Sequence, residues 1–318
     1  MASTLAFIFP GQGSQQVGML SELAERYAVV QATFEEASTA LGYDLWHLVQ
    51  EGPAETLNQT DKTQPALLAA SVAIWRVWKE LEGARPDWVA GHSLGEYSAL
   101  VCSGCMDFAE GLRLVEARGR FMQAAVPAGQ GAMAAILGLE SAAVEAACES
   151  AAQGEVVQPV NYNAPGQIVI AGQTEAVSRA ITACQAAGAR KAMPLPVSVP
   201  SHCDLMKPAA ESLAEALDSL QLNKPRVPVV QNVHAAPETD VDTLRENLVA
   251  QLYRPVRWIE SIEFMSGQGV GTFIECGPGK VLIGLNKRIV KSARSLAIND
   301  PESVTSALEL LRTEAETA

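Results

Sequence analysis

Positive charge, long apolar runs and paired cysteines are scarce in this sequence, and each scarcity closes off a class of function. Lys and Arg number 23 against 36 Asp and Glu, a net charge of −13. A phosphate backbone would be repelled by that field, which argues against nucleic-acid binding but leaves room for an acidic partner on a local basic patch. No uninterrupted apolar stretch reaches the roughly 18 residues of a membrane span; the nearest, residues 67–78, is broken by Ser71 and Arg76. The start, Met1 to Leu5, has no basic segment, and the apolar run that follows stops at Pro10. It reads as a first strand rather than a secretion leader.

Six cysteines are scattered along the chain. Cys102 and Cys105 are a lone short-spaced pair, with no second pair and no nearby histidine to complete a zinc set, so no metal is expected. Buried free thiols in a reducing cytoplasm are the natural reading. Nucleotide-binding glycine patterns are missing as well. Pro10-Gly11-Gln12-Gly13-Ser14-Gln15 does not have dinucleotide spacing, although the glycines flanking Gln12 let the backbone approach closely and aim its amides. Gly277-Pro278-Gly279-Lys280 lacks the earlier glycine of a P-loop, and Val281 stands where Ser or Thr should be.

What is present is the content of an ordinary globular enzyme. The chain has 318 residues, of which 48% are hydrophobic and 19% charged, enough for one large domain or two modest ones. Helices are expected over residues 16–27, 30–41, 65–82, 96–101 and 108–125, with strands at 5–9 and 88–90. Strands alternating with helices imply an α/β fold whose mostly parallel sheet is covered on both faces. Residues 129–197 read differently. Strands at 132–137, 156–161, 167–171 and 191–197, with helices at 142–152 and 174–187, give the order βαββαβ, a self-contained ferredoxin-like unit. The expected division is therefore 1–128 with 198–318 as the core and 129–197 as an insert. Beyond it, strands at 227–232 and 272–275 resume the pattern, with helices at 205–220, 241–253, 258–267, 281–290 and 302–313.

The stretch that suggests chemistry is Trp88-Val89-Ala90-Gly91-His92-Ser93-Leu94-Gly95-Glu96-Tyr97. A strand runs into Gly-x-Ser-x-Gly and a helix runs out, the pattern of a sharp turn that lifts one serine oxygen clear of the backbone. The alternative is a glycine-flanked turn that merely packs. A serine hydroxyl needs a base to take its proton, and there are four histidines. His47 lies among helix formers and His234 in a polar loop, while His92, next to Ser93, points the opposite way on an extended backbone. Elimination leaves His202, in Val199-Pro200-Ser201-His202. No acid is singled out to orient it, which leaves a backbone carbonyl for that task.

Arg118 shares a helix face with Leu114, Val115, Phe121 and Met122, so its guanidinium faces the core and needs an anion. Either a buried carboxylate supplies it, or the fork clamps a substrate carboxylate through parallel hydrogen bonds. Lys280, Lys287, Arg288, Lys291 and Arg294 form a cationic run with no acid between them; Lys287, Lys291 and Arg294 are spaced to share a face if their helix extends that far. The run is either a solvated face or a dock for an acidic partner.

Four ordered motifs now stand together: residues 9–15, residues 91–100, Pro200-Ser201-His202, and Glu275-Cys276-Gly277-Pro278-Gly279. On these the chain closely resembles, over nearly its whole length, the bacterial malonyl-CoA:acyl carrier protein transacylases of type II fatty acid synthesis. The resemblance implies a hydrolase-like α/β core with a ferredoxin-like insert. It implies Ser93 as the acylated nucleophile, His202 as its base, and the backbone amides of Gln12 and Leu94 as an oxyanion hole. Arg118 would hold the malonyl carboxylate, and the main-chain carbonyl of Gln251 would hold the second imidazole nitrogen. Malonyl-CoA and acyl carrier protein would be the partners, the latter docking near Lys280, Lys287, Arg288 and Lys291. The coenzyme A thioester would be substrate, with no cofactor. Where modular synthase relatives often carry an aromatic residue before the histidine, this chain has Ser201. A serine esterase or thioesterase shares the serine and its base but needs no carboxylate clamp.

Overall fold

Leu5, Phe7 and Phe9 alternate with Ala6 and Ile8, and all five are buried. The first set joins one apolar cluster and the second another, so this strand lies inside a sheet covered on both faces. The structure, a computed structural model, describes residues 4–197 and 199–317. Met1 to Ser3, part of the stretch read as leader-free, and Ser198, at the expected domain border, lie outside the described residues.

Strands β1 (Thr4–Phe9), β2 (Trp88–Gly91), β7 (Val229–Gln231), β8 (Ala236–Pro237), β9 (Val270–Glu275) and β10 (Arg294–Ala297) form one sheet in the order β10-β9-β1-β2-β7-β8. Every pairing is parallel except that of β7 with β8. The second sheet comprises β3 (Gly131–Leu137), β4 (Val157–Ala164), β5 (Gln167–Gln173) and β6 (Lys191–Pro194), antiparallel in the order β4-β5-β3-β6. With α8 (Ser141–Ala152) and α9 (Thr174–Ala186) packed on it, this is the split βαβ arrangement. Tyr162 N–H donates to the Val256 carbonyl at 3.0 Å, and Val256 N–H to that of Val160 at 2.8 Å, tying β4 to the loop that carries Val256.

Helices α1 (Ser21–Arg26), α2 (Ala28–Leu41), α3 (Leu45–Glu51), α4 (Ala54–Leu57) and α5 (Thr60–Glu80) precede β2. The helix expected over 16–27 shrinks to α1 because Gly18 and Leu20 adopt φ of 83° and 66°, which a right-handed helix cannot pass. Pro65 lies inside α5 instead of at its start. Helices α6 (Gly95–Cys102) and α7 (Phe108–Ala125) follow β2; α10 (Lys207–Asp218), α11 (Val241–Gln251), α12 (Trp258–Gly267), α13 (Val281–Ile289) and α14 (Pro301–Thr317) complete the chain. No helix among the described residues is long and apolar enough to cross a membrane.

Two further expectations are corrected. The strand at 191–197 stops at Pro194, where prolines at 194 and 196 remove ladder donors. Helix α13 ends at Ile289 and Arg294 opens β10, so Lys287, Lys291 and Arg294 do not share a helix face.

The β2–α6 turn is set by steric contact. A Cβ added to Gly91 would lie 1.9 Å from the Gly95 carbonyl carbon, and one on Gly95 only 2.0 Å from the Phe9 oxygen. Both contacts are with backbone, which cannot yield as a side chain can. Gly95→Ala is therefore expected to destabilise the fold by about 3 kcal/mol or more. Gly284→Ala, in α13 with open space around it, should stabilise by roughly 0.5–1 kcal/mol. Urea unfolding of the two variants checks both; equal effects would contradict the steric account.

Candidate active site

Between the end of β2 and the start of α6, Ser93 is held at φ 52°, a strained left-handed conformation for a residue with a Cβ. Asn232 braces the turn from beneath: its Oδ1 accepts from Ser93 N–H at 2.7 Å and its Nδ2 donates to the Gly91 carbonyl at 2.6 Å. The serine oxygen is left facing a cleft of about 360 Å³ between the two sheets, lined by Gln12, Asn58, His92 and His202 on one side and Met133 and Leu195 on the other.

His202 enters this cleft from the loop after the second sheet, also in a left-handed conformation, φ 66°. Its N–H donates to the Leu252 carbonyl at 2.9 Å. Its ring lies between Ser93 Oγ, 2.7 Å from Nε2, and the Gln251 carbonyl, 2.6 Å from Nδ1. A carbonyl can only accept, so Nδ1 carries the proton and Nε2 presents its lone pair to the serine. Burial, the Arg118 charge and His92 push this imidazole down to about 3, against the opposing hydrogen bond to Gln251. It is therefore neutral at physiological pH.

Arg118, on α7, is fully buried. Its Nη1 donates to Gln64 Oε1 at 2.7 Å, and its Nη2 donates to Gln251 Oε1 at 2.9 Å and approaches Ser93 Oγ at 3.4 Å. The Nε hydrogen has no partner, and the guanidinium sits over the Tyr97 ring, 5.3 Å from its centre. Among the described residues no carboxylate forms an ion pair with it. Of the two readings left open by the sequence, the internal ion pair is absent. A cation held by neutral amide oxygens beside a nucleophile is suited to an anionic group.

Gln12 follows Gly11, where an added Cβ would lie 2.6 Å from the His92 oxygen, so the 10–13 loop packs directly on the serine turn. No acceptor takes the Gln12 or Leu94 N–H among the described residues, and both remain free to donate.

The other histidines are elsewhere. The His92 ring turns to Asn163 (Nε2 to Oδ1, 2.7 Å) and packs against Trp258. His47 lies on α3 and His234 beyond β7, and neither lines the cleft. Of the basic cluster, Arg288 donates to the Pro165 carbonyl at 2.6 Å and to Gln167, and Arg294 pairs with Glu314. Lys280, Lys287 and Lys291 are exposed.

Four functional residues escaped the sequence reading: Asn232, Gln64, Glu96 and the side chain of Gln251. Gln251 Nε2 donates to the Ser93 carbonyl at 3.0 Å and to Glu96 Oε2 at 3.1 Å. Glu96 lay in an apparent run of helix formers, and only its charge beside the apolar Tyr97 could have marked it.

Residues 6–312 match the family model described as acyl transferase domain. The chain is 61% identical over 305 residues to the malonyl CoA-acyl carrier protein transacylase of Escherichia coli K12, covering 96% of this chain and 99% of that one. An acyl carrier protein S-malonyltransferase from Vibrio cholerae superposes with a TM-score of 0.94 at 62% identity, over 96% of this chain and 99% of that one. A malonyl-transacylase solved in complex with a type II PKS acyl-carrier protein gives 0.96 at 58% identity, over 97% of this chain and 100% of that one.

Because His202 stays unprotonated until the pH approaches 3, the single-turnover acylation rate at saturating thioester should stay level as pH falls from 8 to 5. Stopped-flow measurement checks this; a fall centred near the ordinary imidazole value of about 6.5 would contradict the buried, neutral ring.

Proposed function

The chain belongs to the acyl transferase family, among the malonyl CoA-acyl carrier protein transacylases, and from that premise we propose how its residues carry the reaction. It is an enzyme that moves a malonyl group from coenzyme A to acyl carrier protein. Ser93 Oγ attacks the thioester carbonyl while His202 Nε2 takes its proton. The oxyanion that develops is met by the Gln12 and Leu94 amides, an arrangement in which each donor is typically worth a few kcal/mol. Collapse expels the coenzyme A sulfur, which leaves as the thiol with the proton from His202. The carrier-protein thiol then enters, gives its proton to the same nitrogen, and attacks the Ser93 ester in a second, mirrored step. Arg118 clamps the free carboxylate throughout, which fixes the acyl group and gives the thiol rather than water the line of attack.

The observation that carries this reading is the conjunction of the 2.7 Å serine–histidine contact with a buried cation 3.4 Å from the same oxygen. An esterase or thioesterase would use the first and has no need of the second. The coenzyme A thioester is substrate, and the reaction calls for no cofactor. The cytoplasm is the proposed place of action, and residues 129–197 the proposed insert on a core of 1–128 and 198–318. The carrier protein, an acidic partner in this reading, docks near Lys280, Lys287, Arg288 and Lys291, with the exposed lysines making the charge contacts and Arg288 holding the 165–167 turn.

Intact mass after mixing with malonyl-CoA should show one malonyl adduct, absent in Ser93→Ala and discharged by carrier-protein thiol but not by water. Arg118→Ala should lower kcat/KM for malonyl-CoA by about 100-fold, the scale of a lost charge-assisted contact, and raise the share of adduct lost to water; an unchanged share would remove the clamp's second role. The double substitution Lys287→Glu, Lys291→Glu should raise KM for carrier protein about tenfold and leave acylation by malonyl-CoA unaltered.

A further inference from the structure

Glu96 stands three residues after the nucleophile, at the start of α6, and is fully buried. Its Oε2 accepts from Asn232 N–H at 2.8 Å and Gln251 Nε2 at 3.1 Å, and its Oε1 from Gln231 Nε2 at 3.3 Å. None of these donors is charged. From α7 it faces Arg118, and on its own helix Tyr97; β7 with the residue after it, and α11, present the amides of Gln231, Asn232 and Gln251. One carboxamide joins acid to cation, since Gln251 donates to Glu96 through Nε2 and accepts from Arg118 through Oε1. Glu96 is thus a remote countercharge that makes no direct hydrogen bond to the guanidinium.

A second carboxylate arriving at Arg118 would place two anions around one cation where burial of Glu96 and Arg118 weakens solvent screening. Two carboxylates in one dry site do not both stay ionised easily. We propose that Glu96 is a positioning residue that shares Arg118 with the acyl carboxylate. It is ionised while the cleft side is empty, takes one proton from solvent when the malonyl carboxylate docks, and returns it when the acyl group leaves. The inference rests on the malonyl-transfer reading. The balance is simple: Glu96 carboxylate plus one solvent proton gives the neutral acid, while the Ser93 proton passes separately through His202 to the departing thiol.

Burial holds the Glu96 carboxyl up near about 7, against the pull of its hydrogen bonds and of Arg118, so a further anion moves it decisively to the neutral form. The new hydroxyl needs an acceptor. Gln231 makes the longest of the three contacts to Glu96, and its Oε1 accepts from Asn247 Nδ2 at 2.7 Å. Turning these two terminal amides by half a turn supplies that acceptor. An acyl group without a free carboxylate, such as acetyl, would leave Glu96 ionised, so the charge exchange belongs to acyl groups that carry a free carboxylate.

The test is an infrared difference spectrum of the full chain, before and after acylation at pH 8 with malonyl-N-acetylcysteamine. That thioester has no phosphates to titrate, and ¹³C in both malonyl carbonyl carbons displaces the bands of its free carboxylate and of the Ser93 ester. The expected result is a protonated-carboxyl band at the unlabelled position, missing in Glu96→Gln. In parallel, KM for this thioester should rise by up to about tenfold per pH unit above neutrality in the wild type, and stay level in Glu96→Gln. A malonyl adduct seen by mass without the band, or a band that persists in Glu96→Gln, would overturn the inference. Should Glu96→Gln fail to fold, the labelled wild-type spectrum and its KM slope decide by themselves. Absence of the adduct would instead strike the transfer reading, and this inference with it.

Discussion

The arrangement depends on one residue at the end of α11. The Gln251 carbonyl accepts from His202 Nδ1, and this single contact decides which imidazole nitrogen is bare. Its side chain accepts from Arg118 and donates to the Ser93 carbonyl and to Glu96. Nucleophile, base, cation and buried acid are therefore referred to one peptide unit and one carboxamide. A shift of α11 would misplace all four together. Its position is fixed by Leu244 and Leu248, which are fully buried in the larger core.

Dryness gives the site its character. A cation beside a histidine disfavours imidazolium, and burial acts in the same direction, so the base is kept ready without an acid to hold it. The same dryness makes Arg118 costly unless its hydrogens are met. Gln64 and Gln251 meet them on the protein side with dipoles rather than charges. Neutral acceptors orient a guanidinium yet leave its charge to be answered by whatever enters the cleft. A direct Arg–Glu pair would have left the guanidinium less able to bind an acid.

Much of the plan was legible in the chain. The βαββαβ order emerged from periodicity and turn residues, and the β4-β5-β3-β6 sheet has the expected antiparallel form. Helices α7 and α12 have the expected ends; at the start of α7 a cap agrees with the apolar stripe, Asp107 accepting from Glu110 N–H. Elements were misread where local preference lost to backbone geometry or tertiary pairing. Gly18 and Leu20 end a plausible helix before it starts. Strand β10, four residues long with Arg294 at its head, exists because β9 offers it a parallel edge, and nothing in those residues alone demands that.

The sequence by itself determined the serine turn, because only glycine fits at position 91 against the turn's own backbone and at 95 against that of Phe9, and it determined that Arg118 faces inward. It also narrowed the base to His202 by leaving few histidines to choose from. Only the tertiary structure decided what surrounds them. Asn232, Gln64 and Gln251 are 139, 29 and 158 residues from Ser93 in sequence, and amides carry no periodicity or spacing that marks a partner so far away. Whether Arg118 meets a carboxylate or an amide, and whether Glu96 sits in water or beneath the nucleophile, depends on which helices pack together. That is settled by the burial of whole apolar faces, a property no single segment of the chain contains.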